Sequence, residues 1–508
     1  MTMERDYIDD TIIPGTELLV DVKNDVNISH ADAGHSDIVL IPQPTECGRD
    51  PLTWPKWKKY YQLFLVALYA CAFSFGENTL GAAWTTVSDD TGVTLTNMNG
   101  GSALNYLLLG FANIWWIPLA NVIGRRFVFL ATTLICMSSG IWLGRLNGTG
   151  QWMANMVLNG VGTSAYQAVI QLTIFDMFFV HDRGRMLSET LFPRFLFTSS
   201  LIPAIRQSPA VNDPEITDKL PAKSSSEVDD KNGLTVYPSS PESVNHDLVA
   251  AFRKRTYIEC LQIWTRYPQN KTTFWQYFRR PFFLWGFPNV VIAGFIFTFG
   301  CTAGIVTFNT ISEILTDPPY NFSTTATGLI FFAALVGNFI GWGTGVLSDH
   351  VVVFLARRNG GVKEPEMRLW MLVPCFVYAA LGYMLYGWGA QTGIHWIGLA
   401  IAICAMIAHQ VGACAIATAY AMESFPGISG ELVVVLAMCS SMVNFAISYS
   451  VQPFINRTGY GWAFFFFGLC VLASMLAAVP LLVYGKRWRK AKAARYYRFL
   501  EEVGGPTD

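Results

Sequence analysis

The sequence predicts an all-α, multi-pass membrane protein, and three observations carry that reading. The first is composition: of 508 residues, 52% are hydrophobic and only 14% are charged, well below the roughly 25% charge of soluble domains. The second is about ten apolar runs of roughly 20 residues each, the length at which a helix crosses a 30 Å hydrocarbon layer. The third is that the loops between these runs alternate in charge, as the two sides of a membrane require.

In chain order, the predicted spans of the first half are Tyr60–Leu80, Ser102–Ala120, Phe127–Gly144 and Gln151–Phe175. Those of the second half are Phe282–Thr307, Ala326–Leu347, Leu369–Trp388, Ile394–Ala421, Leu432–Val451 and Trp462–Tyr484. The count is four plus six, about ten in all. Residues 1–59 lack a sustained apolar period and read as a disordered cytosolic tail. The first apolar run begins too late for a cleaved signal peptide. Residues 60–185 form the first helix bundle, 186–280 a largely disordered cytosolic linker rich in Pro, Ser, Asp and Lys, 281–485 the second bundle, and 486–508 a basic cytosolic tail.

Lys and Arg set the orientation. They gather at Lys56, Lys58 and Lys59, at Arg125 and Arg126, at Arg183 and Arg185, at Arg279 and Arg280, at Arg357 and Arg358, and from Lys486 to Lys492. The intervening loops hold few, so both termini and the linker are expected in the cytosol. Sequons at Asn147, Asn321 and Asn456 then fall outside, where glycosylation is expected, with chance matches as the alternative.

Other chemistries find little support. A net charge of -1 points to no nucleic-acid partner. The ten cysteines lie mostly inside apolar runs without paired spacing, so neither a disulfide framework nor a metal site is expected. No nucleotide loop, nucleophile motif or cofactor motif is present, so an enzyme is not expected.

Two loops at matching places in the two halves suggest a duplication. After the second span comes Leu119-Ala120-Asn121-Val122-Ile123-Gly124-Arg125-Arg126; after the sixth comes Gly345-Val346-Leu347-Ser348-Asp349-His350. Both resemble the major facilitator superfamily's Gly-x-Leu-Ala-Asp-Arg-x-Gly-Arg-Arg, with Asn121 at the first copy's aspartate position. Asn159-Gly160-Val161-Gly162 resembles the family's fourth-span motif, with Met156 at its arginine position. Asp50-Pro51-Leu52-Thr53-Trp54-Pro55-Lys56-Trp57 and His181-Asp182-Arg183-Gly184-Arg185 look like fungal drug- and metabolite-exporting members.

The resemblance implies two pseudo-symmetric helix bundles that rock about a midplane site, with Asn121, Gly124, Arg125, Arg126, Gly345 and Asp349 in loops that close the cytosolic side. It also implies a monomeric, proton-driven exporter of a small amphipathic or aromatic molecule, in the plasma membrane or else the vacuolar membrane. Uptake of a nutrient or organic cation is the rival within transport. The family has six plus six spans. Here Arg183–Ser188 is followed directly by Glu189–Arg194, which resembles the exit from a sixth span. A segment of roughly 60 residues, covering the fifth and sixth spans, is therefore missing. A gene model that skips coding sequence is favoured over a damaged transporter, and a non-transporting remnant is the rival outside transport.

Polar groups inside spans are the candidates for the pathway. Glu77 is either a proton carrier or a carboxylate reaching the outer interface. His409 is either a coupling group or a packing histidine. Asn155, Asn159, Gln167 and Gln171 share a broad face of the fourth span and either line a cavity or tie helices together; Asn105, Asn113, Asn338 and Asn444 invite the same two readings. Asp176 and Glu423, near inner span ends, are expected in closing contacts, and Trp115, Trp116 and Trp342 could stack on a ring-bearing substrate.

Overall fold

The computed structural model describes residues 13–18, 52, 54–78, 87–88, 91–178 and 274–504. Each predicted span coincides with helix, usually longer than the apolar run. In the first half, α1 is Lys56–Asn78, α2 Leu95–Phe111, α3 Asn113–Val122, α4 Arg125–Leu143 and α5 Thr149–Met177. Then come α6 (Phe274–Leu284), α7 (Pro288–Thr316), the short α8 (Thr324–Leu329), α9 (Phe332–Arg358), a 3-10 helix (Pro365–Met371), α10 (Leu372–Thr392), α11 (Trp396–Ser424), α12 (Ser429–Leu476) and α13 (Ala478–Gly504).

Local signals explain several boundaries. Thr94 caps α2 by accepting from the Asn97 N–H at 3.4 Å, and Pro288 opens α7 where no intrahelical donor is needed. Gly124, at φ 114°, sets the tight inner turn before α4. The expected outer loop between the last two spans shrinks to one residue, Gly459 at φ 79°, so α12 holds two helices across a break.

Among the described residues, seven stretches are long and apolar enough to cross a membrane; the last, Ser429–Leu500, contains both final predicted spans. Helices α1 and α5 fall outside those seven. The first opens on Lys56-Trp57-Lys58-Lys59, and the second carries several amides. Inside the bundle, helices meet at glycine, as expected where the apolar solvent gives association no driving force and close backbone approach must supply it. A Cβ on Gly110 of α2 would lie 1.8 Å from Ser441 Oγ and 2.2 Å from the Ala437 carbonyl of α12, so the two halves touch there. Gly337 and Gly341 of α9 do the same against α11.

Two stretches expected to be plain tails hold structure. Residues 17–18 form β1, antiparallel to β2 (Val362–Lys363), with Glu17 opposite Lys363 and Leu18 opposite Val362. The basic tail continues as helix α13 to Gly504, and its Arg489 is fully buried. Helix α6 begins within the expected linker and runs into the second bundle; residues 186–273 lie outside the described residues.

Candidate functional site

The predicted polar residues separate into structural ties and open acceptors. Asn155 is a tie: its Nδ2 donates to the Ser139 carbonyl at 2.8 Å, and its Oδ1 accepts from Ser139 Oγ at 3.2 Å, joining α5 to α4. Of the two readings for this residue, the bonds are those of an interhelical tie. Asn159 and Gln171 are half-buried on α5. Glu77 lies in the last turn of α1, and its side chain, like those of Gln167 and Asp176, lies outside the described part of the structure.

Several buried amide oxygens are open acceptors, and two of them flank the Gly110–Ser441 contact between halves. Asn113 is buried; its Nδ2 donates to the Leu109 carbonyl at 2.8 Å and its Oδ1 has no hydrogen-bond partner. Asn444 donates to Ser440 Oγ at 2.8 Å, and its Oδ1 is likewise unpartnered. Asn113 sits one turn inward of Gly110 on α2, whereas Asn444 sits one turn outward of Ser441 on α12. The two amides therefore bracket the glycine contact. Asn105 Oδ1, against Gly160 of α5, and Gln410 Oε1, against Gly304 of α7, also lack partners.

His409 is buried among α7, α10 and α11, and neither ring nitrogen makes a hydrogen bond of ordinary geometry. Asn338 is half-buried on α9. Trp116 spends its Nε1–H on the Val161 carbonyl at 2.9 Å, which ties α3 to α5. Trp115 is 52% exposed and packs on Phe274 of α6, beside an apolar groove of about 330 Å³ that Leu108, Phe111 and Leu119 also line. Cys301 and Cys414 are free thiols with sulfurs 3.5 Å apart. Among the described residues no cluster could hold a metal ion.

At the inner ends the motif loops make specific contacts. Gly124 turns the chain so that Arg125, buried, donates to Thr173 Oγ1 at 3.3 Å near the end of α5. Asn121 and Arg126 are half-buried. In the second copy, Gly345 is buried and Asp349 accepts from Arg368 Nη1 at 2.8 Å. Arg368 also holds Glu423 at 2.8 Å, and Lys363 reaches Glu423 at 2.9 Å. Sequence reading placed Asp349 and Glu423 but missed Arg368 and Lys363. The available signal was a pair of cations flanking Glu364 and Glu366 at the mouth of a span.

Sequence reading also missed a polar seam in the outer part of the second half. Asn309 of α7 donates to Ser448 Oγ at 3.1 Å, and Gln452 donates to Glu313 at 2.8 Å. Asn147, Asn321 and Asn456 are all exposed, but Asn456 lies inside α12 rather than in a loop.

No family model matches the chain. Relatives do. An uncharacterized MFS-type transporter of Schizosaccharomyces pombe is 25% identical over 580 aligned positions, covering 98% of this chain and 96% of the relative. Protein HOL1 of Saccharomyces cerevisiae is 22% identical over 575 positions, covering 96% of each. Over nearly its full length the chain is similar to major facilitator superfamily transporters. A solved superfamily structure, the proton:xylose symporter XylE, shares the fold at 11% identity and a TM-score of 0.50, over 84% of this chain and 96% of its own. The two alignments run over more positions than the chain's 508 residues, so both relatives carry stretches with no counterpart here. The protein is thus a multi-pass membrane transporter.

Proposed function

We propose that this transporter exports a small amphipathic or aromatic molecule through a path between its two halves, with a proton moving inward. The observation that carries this reading is the set of unpartnered amide oxygens on Asn105, Asn113, Gln410 and Asn444. In an apolar layer each unsatisfied polar group costs several kcal/mol, roughly, so these acceptors are matched to water or to donors on a passing substrate. The Gly110–Ser441 contact lies between Asn113 and Asn444, where a rocking motion of the halves would open and close. Glu77, a carboxylate at the outer end of α1, serves as the proton carrier in this reading. The expected setting is a monomer in the plasma membrane, glycosylated at Asn147 and Asn321.

The test is expression in a fungal host stripped of its own exporters, challenged with amphipathic compounds. Resistance that disappears in Asn444→Ala at unchanged expression supports export along this path. Raised accumulation of the compound instead supports uptake.

A second reading is favoured by a specific pair of observations: among the described residues, helices stand at four predicted spans in the first half against six in the second, and the relatives' alignments exceed the chain's length. Under it, the transporting form carries a further helical pair after Ser188, and the chain as it stands transports poorly or not at all. Sequencing the mature transcript across Leu187–Glu189 decides between them: added apolar codons support the longer form, and an unchanged junction removes it.

A further inference from the structure

The inner end of the second half carries a contact that substrate translocation does not explain. Residues 13–18 lie against it through three separate sets of contacts. Glu17 and Leu18 pair antiparallel with Lys363 and Val362. Arg489 of α13 donates to the Pro14 carbonyl and, at 3.3 Å, to Thr16 Oγ1, while it holds Glu366 at 3.0 and 2.6 Å. Gly15, at φ +75°, lies so near the last turn of α11 that a Cβ would sit 2.3 Å from the Glu423 carbonyl oxygen.

These contacts share members with the ion-pair cluster at the inner helix ends. Lys363 supplies the strand partner of Glu17 through its backbone and pairs with Glu423 through its ammonium at 2.9 Å. Arg489 is fully buried, so its donors all need acceptors, and Glu366 leaves some for the segment to satisfy. Shifting α11 relative to α13 would break the strand pair, the Arg489 bonds and the Gly15 contact together.

We propose that residues 13–18 are an intramolecular clasp that locks the inner ends of the 3-10 helix, α11 and α13 on the cytosolic face of the second half. The clasp acts on that half whichever molecule the transporter carries.

The test uses the full chain in lipid nanodiscs with Leu18→Cys and Val362→Cys, partners in the strand register. Oxidation is expected to cross-link the pair, and the linked form should exchange amide hydrogens at residues 362–371 and 420–425 about tenfold more slowly than the reduced form. Gly15→Val, which drives a side chain into the Glu423 carbonyl, should prevent the cross-link and raise exchange at the same segments by a similar factor. Failure of the Gly15 chain to cross-link overturns the clasp; equal exchange in linked and reduced forms overturns the lock. If Gly15→Val does not fold, the linked-against-reduced comparison decides alone.

Discussion

Arg368 is where a single residue does most to hold the inner face together. Its guanidinium takes Asp349 on α9 and Glu423 on α11, and Ser348 Oγ accepts from it at 3.1 Å. Removing one partner of a buried ion pair costs about 3–5 kcal/mol, because the remaining charges stay buried without compensation. Arg368→Gln is therefore expected to lower the melting temperature of the purified transporter markedly. Arg368→Lys should recover only part of the loss, since a point charge cannot hold two carboxylates as a planar fork does. Asn155 teaches the complementary lesson. Its sequence neighbourhood is that of a cavity amide, yet its two bonds to Ser139 spend it on helix packing. Nothing within α5 reveals that, because the partner lies on α4.

Between elements, the contact that matters most is glycine against backbone. Adding a methyl to Gly110 would place it 1.8 Å from Ser441 Oγ and 2.2 Å from the Ala437 carbonyl, and the second of these cannot swing away. Gly110→Ala is expected to cost about 1–3 kcal/mol by overpacking and to abolish transport at normal expression. Gly343→Ala is the control: a Cβ there meets nothing within 4 Å, so activity and melting temperature should stay unchanged. The helices themselves were legible as apolar runs, and their inner turns as Gly-Arg or Ser-Asp motifs. Which glycines face a neighbour was not legible, because a glycine at an interface and one facing lipid are the same letter in an apolar run.

For the whole molecule, the testable property is sidedness. Asn147 and Asn321 lie in exposed loops on the predicted outer face, whereas Asn456 is inside α12, three residues before the Gly459 break. An endoglycosidase mobility shift is expected to need Asn147 and Asn321 and to survive Asn456→Gln; a shift that needs a cytosolic-side sequon would reverse the topology. The multi-pass helical plan was readable because membrane crossing imposes length, apolarity and loop charge on every span separately, whereas the likeness to the superfamily rested on the residues of its motif loops.

By itself, then, the sequence determined that this chain is all-α, strongly apolar and built to cross a membrane many times. Each of these follows from local composition meeting a uniform solvent. Only the tertiary structure decided that Asn155 packs while Asn113 and Asn444 stay open, that Arg368 joins Asp349 to Glu423, and that Arg489 in a basic tail is buried against residues 13–18. Those outcomes depend on partners tens to hundreds of residues away. A polar group in an apolar layer takes its role from whichever neighbour satisfies it, and that neighbour is chosen by packing.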